Sequence, residues 1–451
     1  MNNTSKTFCI YPWIHQMVDT NGSIKLCCVA EDPISPNKFG DTKSAGQEMT
    51  VNKQSLGSAW NSEYMLSVRE RLVKGQQVQD CGQCYRKERN GEYSFRQRAN
   101  EHWADETKKV LDQYNSYDIE YEKANDFEKE KMQMTKYFVE DMPVYLDIRF
   151  GNLCNLKCRM CTGLYSKKFG EELESIANTD EKFRMLAPDS AKVYNFDWYD
   201  NPNFWKELEQ YMPHIKLLYL TGGEPTLVQG NYDFLQQLID KGYAKNIGLV
   251  FNTNVTNFQD RFLDIISKFR HVCLNLSIDG IGGVQEYIRY PSKWKAIVKN
   301  MNMLMDKIKL TNTKFDLVFT PTISILNVGS FHELIDWCYN FSNGNPSDKI
   351  YWDMVPIFLH GPQFQDMIHA SHDLRQFAIN NLESVEQKQI DHFANLKSFY
   401  DEVIFTLKER FEDEIEAQNF RKQLFKWNYS IDKNRGINIT NYIPYSKLIY
   451  G

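Results

Sequence analysis

The chain has 451 residues, and 53 Lys and Arg stand against 59 Asp and Glu, for a formal net charge of −6. Hydrophobic residues make up 42% and charged residues 25% of the sequence, which excludes a disordered or collagen-like chain. The mild acidity argues against a general nucleic-acid binder, and no apolar stretch of about 18 residues predicts a membrane span. The polar residues 1–10 lack a signal region, so we expect a cytoplasmic protein.

Ten cysteines are present, and eight of them fall in tight groups. In a reducing cytosol, grouped thiols indicate metal ligands or catalysts before disulfides. The other two, Cys273 and Cys338, lie in apolar runs and are predicted core thiols. The groups in chain order are Cys9, Cys27 and Cys28, then Cys81 and Cys84, then Cys154, Cys158 and Cys161.

Residues 1–100 form the first predicted domain, which contains five of the cysteines and too little continuous apolar pattern for a large core. Small domains of this kind usually depend on a metal or on disulfides. Four thiolates, closed by the Cys81-x2-Cys84 pair, could hold one metal centre, and chemistry alone leaves zinc and iron–sulfur as comparable alternatives. The charge-dense residues 101–143 that follow are a predicted helical connector.

From residue 144 the pattern changes to strands that alternate with helices, which predicts an α/β domain over residues 144–360. Such alternation is typical of parallel βα units, arranged as an open sheet or as a partial (β/α)6 TIM-like barrel. Residues 177–213 are a long insertion, and residues 361–451 are a predicted helical C-terminal extension. The six predicted strands are 144–150, 216–220, 247–251, 272–278, 315–320 and 350–355.

A Cys-x3-Cys-x2-Cys motif follows the first predicted strand directly, with Cys154, Cys158 and Cys161 at its three positions. Three thiolates on one tight loop can hold three corners of a cubane iron–sulfur cluster and leave the fourth iron open to another ligand. An iron with an open position can bind and reduce a substrate. A structural zinc site, the alternative, normally needs four protein ligands. The spacing therefore favours the open cluster.

The stretch 146–161 closely resembles the cluster loop of radical SAM enzymes, and further motifs follow in the order of that family. Residues 221–225 (TGGEP) follow the second strand, residues 252–254 (NTN) end the third, and residues 277–280 (SIDG) end the fourth. The resemblance implies reductive cleavage of S-adenosylmethionine (SAM) to a 5′-deoxyadenosyl radical at a 4Fe–4S cluster. An electron donor such as flavodoxin or ferredoxin is then the implied protein partner.

The same resemblance implies which residues bind SAM. Glycines allow close backbone approach, the Glu224 carboxylate pairs with the SAM ammonium group, and the Arg289 guanidinium suits the SAM carboxylate. Asn254 and Asp279 could instead serve as strand-end caps. The full implied set is Gly222, Gly223, Glu224, Pro225, Asn254, Ser277, Asp279 and Arg289, with Cys154, Cys158 and Cys161 as catalytic cluster ligands.

The order of the N-terminal cysteines resembles the twitch or SPASM extension of radical SAM enzymes, which holds an auxiliary 4Fe–4S cluster. The resemblance favours iron–sulfur over zinc at this site. In the better-known members the extension follows the barrel, whereas here it precedes it. The implied ligands are Cys9, Cys27, Cys81 and Cys84, with Cys28 as the alternate to Cys27.

The implied activity is that of a radical SAM oxidoreductase, in which hydrogen-atom abstraction leads to dehydrogenation or a cross-link with help from the auxiliary cluster. Alternatives are a redox-neutral epimerase, with Cys28 as a hydrogen donor, a peptide maturase, and a non-catalytic iron–sulfur or zinc protein. The expected substrate is a sugar-like small molecule or a peptide, although residues 101–143 show no clear winged-helix pattern for a leader peptide. Asp353, at a strand end, is a candidate general base. Five aromatic residues could stack on a substrate or pack in the core, namely Trp198, Tyr199, Trp205, Trp352 and Phe358.

Overall fold

The computed structural model describes residues 6–31, 33–34, 48–186, 192–410 and 414–451. Contacts divide the chain into two compact units, which are Met1–Gly151 with Phe196–Tyr219, and Asn152–Asn195 with Leu220–Gly451. The two units are defined by contacts between residues alone and do not test the four domains expected from the sequence, which stay a prediction. Part of the 177–213 insertion, residues 187–191, lies outside the described residues.

The described residues form ten strands, six of which match the six predicted runs to within two residues. Helices follow these six strands, so the predicted α/β class with parallel strands and a helical C-terminal part is confirmed. The strands are β1 (His15–Val18), β2 (Ile24–Lys25), β3 (Tyr145–Phe150), β4 (Leu217–Gly222), β5 (Gly248–Thr253), β6 (His271–Leu276), β7 (Lys314–Phe319), β8 (Thr322–Ile323), β9 (Ile350–Met354) and β10 (Ile357–Phe358).

The α-helices cover most of the remaining described chain, including much of the charged connector and the C-terminal extension. In chain order they are Tyr11–Ile14, Leu56–Trp60, Glu63–Val73, Gly82–Arg89, Phe95–His102, Ala104–Lys123, Asp126–Thr135, Lys167–Thr179, Glu181–Arg184, Pro202–Tyr211, Gln229–Asp240, Asp260–Ile266, Gly282–Ile288, Trp294–Lys309, Phe331–Asn343, His372–Leu382, Gln387–Asp391, Leu396–Glu409, Glu414–Arg435 and Ser446–Tyr450.

In the first unit, β3 runs parallel to β1, and β2 pairs with β1 in the antiparallel sense. Side chains alternate between the two faces of a strand, so Leu146, Ile148 and Phe150 share one face of β3. The Phe150 ring stacks on the rings of Trp198 and Trp205 at centroid distances of 5.6 and 5.2 Å. These two tryptophans therefore pack in the core. Core packing was one of the two roles that the sequence left open for them.

A buried arginine joins three segments of the same unit. The Arg69 side chain donates from Nε to the Pro12 carbonyl (2.8 Å) and from Nη2 to the Trp60 carbonyl (2.8 Å). Its guanidinium also lies over the Trp60 ring, 4.7 Å from the centroid. Buried backbone carbonyls need hydrogen-bond donors, and the last carbonyls of a helix have no partner within it. The Arg69 guanidinium supplies donors to two such carbonyls.

In the second unit, β5, β6, β7 and β9 pair in parallel in that order. Along β6, Val272, Leu274 and Leu276 are fully buried while the residues between them are half-buried, as alternation along a strand requires. Parallel strands end at the same edge of a sheet, so the polar residues that follow β5, β6 and β7 collect there. Cys338 is fully buried, as predicted, whereas Cys273 is only partly buried.

Candidate cofactor-binding site

The loop after β3 carries the three closely spaced cysteines of the predicted cluster motif. Cys154 and Cys158 are each 9% exposed, and Cys161 packs against them. The loop is fixed through its backbone, because Lys157 N donates to the Tyr290 carbonyl (2.6 Å) and Arg159 N donates to the Ile288 carbonyl (2.9 Å). The three sulfurs are thus gathered in one buried pocket of the second unit.

Burial dominates the electrostatics of these thiols. Burial first, and the neighbouring Cys158 second, raise the pKa of Cys161 to about 12. The pKa of Cys154 is raised in the same way, by burial and then by Cys158. Thiolates are the form that binds metal, and a bound cationic centre supplies the charge that stabilises them. Three such thiols on one loop fit a cubane cluster with one open iron.

The cluster loop is also clamped by the C-terminal helix Glu414–Arg435, a feature that the sequence analysis missed. The fully buried Arg159 donates to the Tyr287 carbonyl (3.1 Å) and to Asn428 Oδ1 (2.8 Å), and it pairs with the Asp432 carboxylate. Its guanidinium stacks on the Tyr287 ring, 3.6 Å from the centroid. A planar guanidinium can make these directional bonds and the stacking contact together.

A second arginine of that helix reinforces the clamp. Arg435 donates from Nη2 to the Lys157 carbonyl (2.8 Å) in the cluster loop and pairs with Glu172 at 2.7 Å. Glu172 lies in the helix Lys167–Thr179, directly after the loop. The C-terminal helix therefore holds both the loop and the helix that follows it.

Glu224, predicted to meet the SAM ammonium group, is 1% exposed. Its Oε1 accepts from Thr226 N (3.2 Å), Thr226 Oγ1 (2.7 Å) and Thr253 Oγ1 (3.1 Å), and its Oε2 accepts from Asn254 N (2.7 Å). Burial raises the pKa of this carboxyl although these bonds oppose the shift. A carboxylate accepts at about four sites, so Oε2 retains one acceptor position for an ammonium group.

The glycines before Glu224 are required by space. A Cβ atom at Gly223 would lie 2.4 Å from the Leu153 carbonyl oxygen, and Gly222 has a φ of +125°. Glu224 N also donates to the Leu153 carbonyl at 2.8 Å. This turn is therefore pressed against the residue before Cys154, as close backbone approach demands. Pro225 begins the short 3₁₀ helix Pro225–Leu227 after it.

Asn254 bridges the end of β5 to the cluster loop. Its Nδ2 donates to Asn155 Oδ1 (2.9 Å) and lies 4.0 Å from the Cys154 sulfur, while its Oδ1 accepts from Thr256 N (3.0 Å). The side chain thus caps the strand end, one of the two alternatives from the sequence, and it also braces the loop. Ser277 N donates to the Thr253 carbonyl at 2.9 Å, which joins the ends of β5 and β6.

Asp279 and Arg289 form a bidentate pair, with Nε to Oδ2 at 2.6 Å and Nη2 to Oδ1 at 3.0 Å. Asp279 also accepts from Thr322 N at 2.9 Å, and Asn327 Nδ2 donates to the Asp279 carbonyl at 2.8 Å. Arg289 thus pairs with Asp279 beside Cys158, and its predicted contact with the SAM carboxylate stays a prediction. Sequence spacing could place both residues near the cluster loop but could not show that they pair with each other.

Four of the N-terminal cysteines line one small cavity in the first unit. Among the described residues, no three His, Cys, Asp or Glu side chains close around a single metal ion. In a cubane cluster each of four irons takes one thiolate, so its ligands stand farther apart than those of one ion. The cavity is lined by Cys9, Tyr11, Pro12, Leu26, Cys27, Val29, Cys81, Cys84, Phe95 and Arg96.

The residues around this cavity fit a cluster held by four thiolates. Burial first, with a smaller effect of the nearby thiols, raises the pKa of Cys9 and of Cys27 to about 12, so a cationic centre is needed to hold them as thiolates. Cys28 does not line the cavity and instead lies near Asp147 and Arg149. Cys27 is therefore the better placed of the two adjacent cysteines.

An ion pair secures the helix that carries Cys84. Arg96 donates to Glu88 Oε1 (2.9 Å) and Oε2 (2.6 Å), and its Nη1 donates to the Phe8 carbonyl (2.7 Å) next to Cys9. These bonds link the two chain segments that bring Cys9 and Cys84 to the same cavity.

The candidate base and the remaining aromatic residues are used by the fold. Asp353 accepts from Asn395 N (3.1 Å) and Asn395 Nδ2 (2.5 Å), so it tethers residue 395 to the end of β9. Trp352 stacks on Phe319 at 5.7 Å. The Phe358 ring stacks on the Phe399 ring at a centroid distance of 4.3 Å, and Trp205 Nε1 donates to the Tyr199 carbonyl at 2.6 Å.

Within the described residues, no helix is long and apolar enough to cross a membrane.

Two family models match the chain. One is described as the radical SAM superfamily and matches residues 148–335, and the other is described as SPASM, an iron–sulfur cluster-binding domain, and matches residues 9–85. The first range contains the three-cysteine loop, and the second contains the four cysteines that line the cavity.

Similar proteins share a low fraction of identical residues. The sporulation killing factor maturation protein SkfB of Bacillus subtilis is 20% identical over 200 residues, which are 44% of this chain and 40% of that protein. Streptococcus suis SuiB bound to the precursor peptide SuiA is 14% identical over 63% of this chain and 55% of that chain, with a TM-score of 0.32. The protein anSMEcpe with bound AdoMet is 15% identical over 54% of this chain and 60% of that chain, with a TM-score of 0.34. The chain thus spans less than two thirds of each of these proteins.

Proposed function

The chain carries a radical SAM domain preceded by a SPASM iron–sulfur-binding domain, and from that premise we propose that it is an enzyme that oxidises a peptide. The proposed reaction removes a hydrogen atom from the peptide, and the resulting radical then loses one electron and one proton. The product is a dehydrogenated residue or a cross-link. The name of the Bacillus subtilis relative, a maturation protein, supports a polypeptide substrate over a sugar.

The presence of two different sulfur sites is the observation that carries this proposal. The three-cysteine loop can leave one iron open for SAM, whereas the cavity with Cys9, Cys27, Cys81 and Cys84 can ligate every iron of its cluster. When bound, the clusters and SAM supply a reductant, a 5′-deoxyadenosyl radical and an electron acceptor. A site with no open iron suits electron transfer, and an oxidation needs such an acceptor.

The chain's own residues orient and shield the reacting groups. Glu224 offers its free Oε2 position to the SAM ammonium group, and Asn254 braces the loop through Asn155. The Asp279–Arg289 pair lies beside Cys158 and contributes a buried, rigid wall. Because these side chains are already hydrogen-bonded to the strand ends, they are positioned before any ligand arrives.

A second candidate function is redox-neutral epimerisation of a peptide residue, and the position of Cys28 favours it. This thiol does not line the four-cysteine cavity, so it is free to return a hydrogen atom to a substrate radical. Oxidation and epimerisation differ in mass balance, since only the first removes two hydrogens. Epimerisation in D₂O instead exchanges one hydrogen of the residue for deuterium.

The test uses the anaerobically reconstituted protein with dithionite, SAM and a randomised library of acetylated, amidated hexapeptides as the probe. We expect 5′-deoxyadenosine together with peptides that have lost two hydrogens, and we expect neither from the Cys154/Cys158/Cys161→Ala variant. Peptides that gain one deuterium in D₂O without losing two hydrogens would replace oxidation by epimerisation. Formation of 5′-deoxyadenosine without any change in the peptides would contradict the peptide substrate.

A further inference from the structure

One side of the helix Glu414–Arg435 is exposed and combines lysines with aromatic rings. Residues three or four positions apart lie on the same side of a helix, and the residues of this lysine–aromatic stripe follow that spacing. The Phe425 and Tyr429 side chains are 50% and 60% exposed, and their rings stack at a centroid distance of 6.0 Å. Exposed apolar side chains that cluster in this way are typical of a surface that binds another molecule. The members of the stripe are Lys422, Phe425, Lys426, Tyr429 and Lys433.

The stripe is positively charged although the chain as a whole is acidic. It contains three lysines and no carboxylate, whereas the whole chain has a net charge of −6. Within the part of the chain that the structure describes, none of these lysines pairs with a carboxylate, and Lys422 Nζ donates to Gln418 Oε1 at 3.4 Å. Surface cations without a carboxylate partner attract a molecule of opposite charge.

A surface cavity of about 300 Å³ lies beside the stripe. Phe425, Tyr429 and Lys433 line it together with Tyr450 of the last helix, whose ring meets the Phe425 ring edge to face at 5.2 Å. Protein interfaces commonly combine aromatic residues at the centre with charged or polar groups at the rim. The cavity can therefore accept a side chain of a partner protein while the lysines meet charges at its edge.

The same cavity is connected to the cluster loop by two side chains. Asp432 lines the cavity, and its carboxylate pairs with the Arg159 guanidinium. Arg159 directly follows Cys158, one of the three cysteines of the loop. Cys154 and Cys158 are themselves buried. A partner at the cavity therefore comes close to the cysteine loop without having to enter the buried pocket.

A reductant is the partner that this position suits. Reductive cleavage of SAM consumes one electron each time, and a donor protein with an acidic surface matches the positive stripe. We propose that the lysine–aromatic stripe and its cavity dock a small acidic electron-transfer protein that reduces the SAM-binding cluster. The donor loses one electron, the cluster gains it, and no atom or proton passes between the two proteins. The inference rests on the radical SAM domain and not on the peptide substrate.

The test uses the anaerobically reconstituted protein, with flavodoxin, an acidic electron-transfer protein, as the probe. Isothermal titration calorimetry measures the binding of oxidised flavodoxin. Formation of 5′-deoxyadenosine is measured with reduced flavodoxin and, separately, with dithionite, a small reductant that needs no docking surface. Lys422→Gln/Lys426→Gln removes two charges of the stripe, and Phe425→Ala/Tyr429→Ala removes its two rings.

The matched control is Lys241→Gln/Lys245→Gln, which removes the same charge from two exposed lysines. These lysines precede β5, whereas Asn254, which contacts Asn155 in the cluster loop, follows β5. The control pair therefore lies at the far end of this strand from the cluster loop.

We expect flavodoxin binding to weaken about tenfold in both stripe variants, and to weaken with added salt in the wild type because exposed charges are screened. At subsaturating flavodoxin, 5′-deoxyadenosine formation is expected to fall in the same proportion. Dithionite-driven formation and iron content are expected to stay at wild-type values in both stripe variants, and the control variant is expected to match the wild type in every measurement.

Three results would overturn the docking site. The first is flavodoxin binding and flavodoxin-driven cleavage that are absent in the wild type, or equal in the wild type and both stripe variants. The second is a loss of cleavage that is equally large with dithionite. The third is binding of a single-stranded oligonucleotide that the lysine variant loses while its flavodoxin binding is unchanged, which would assign the stripe to nucleic acid.

A further outcome separates this inference from the proposed function. Flavodoxin-driven formation of 5′-deoxyadenosine that depends on the stripe, without any change in the added peptides, would contradict peptide oxidation and support the docking site.

Discussion

At the residue scale, the adjacent thiols of Cys27 and Cys28 have different surroundings. Cys27 lines the four-cysteine cavity, whereas Cys28 lies near Asp147 and Arg149. The chain turns at these residues, because Ala30 N donates to the Cys27 carbonyl at 3.1 Å, and the two side chains leave the turn toward different neighbours. The sequence left both as candidate ligands, because spacing alone cannot say which of two adjacent residues faces a cavity.

This difference predicts opposite results for two serine variants. Cys27→Ser is expected to lose the auxiliary cluster, about half of the bound iron, because a hydroxyl is a poor substitute for a thiolate ligand. Cys28→Ser is the matched control and is expected to retain all of the iron. Iron and sulfide analysis after anaerobic reconstitution gives the answer, and the opposite pattern would make Cys28 the ligand.

Glu224 allows a second prediction at this scale. Glu224→Gln removes the negative charge that the SAM ammonium group needs, so SAM binding is expected to weaken about tenfold. Equilibrium binding of SAM to the reconstituted protein measures the effect, with Glu333→Gln on the exposed side of the helix Phe331–Asn343 as the control. Unchanged affinity in a folded Glu224→Gln variant would remove this carboxylate from the SAM site.

At the scale of secondary-structure elements, the helix Glu414–Arg435 acts as a brace for the cluster loop. Arg159 in the loop reaches Asn428 and Asp432 on this helix, and Arg435 reaches back to the Lys157 carbonyl. These partners are separated by more than 260 positions in the chain, and a lone arginine or aspartate in a helix carries no sequence signal of such pairing. The strands were predictable because alternation and spacing are local patterns, but the brace was not.

The ion pair between the loop and the helix leads to a prediction about the stability of variants that lack one of its two members. Arg159→Met leaves the buried Asp432 carboxylate without its cation, which is expected to destabilise the protein by about 3–5 kcal/mol. The Arg159→Met/Asp432→Leu variant removes both charges and is expected to cost less than the sum of the single changes. Denaturant unfolding of the four proteins of this cycle measures the coupling, and additive costs would show that the two side chains do not act together.

At the scale of the whole molecule, stability is expected to depend on pH through His15. Burial lowers the pKa of His15 to about 3, so between about pH 6.5 and pH 3 the unfolded chain binds a proton that the folded chain does not. The free energy of unfolding therefore falls as the pH decreases through this range, by up to about 1.4 kcal/mol per pH unit. Denaturant unfolding across the range is expected to show a shallower slope for His15→Gln and an unchanged slope for His214→Gln, whose side chain is exposed. An equal slope in all three would contradict the buried neutral histidine.

The sequence was most informative where chemistry depends on local spacing. The three-cysteine motif, the Gly-Gly-Glu turn and the six strands follow from residues that are close in the chain; the six strands occur in the predicted chain order, and Glu224 N in the turn donates to the Leu153 carbonyl in the cysteine loop. The sequence said least about which side chains pair with each other. It did not indicate, for example, that Arg289 and Asp279 form an ion pair. Partner choice depends on packing between distant segments, which periodicity and spacing do not describe.

The proposed reaction needs two separate iron–sulfur clusters in one chain, and the iron content per chain shows whether both are present. We expect about eight irons in the wild type after anaerobic reconstitution and about four in the Cys154/Cys158/Cys161→Ala variant, since each cubane contains about four. About four irons in the wild type that fall to none in the variant would contradict it, because the cavity with Cys9, Cys27, Cys81 and Cys84 would then hold no cluster.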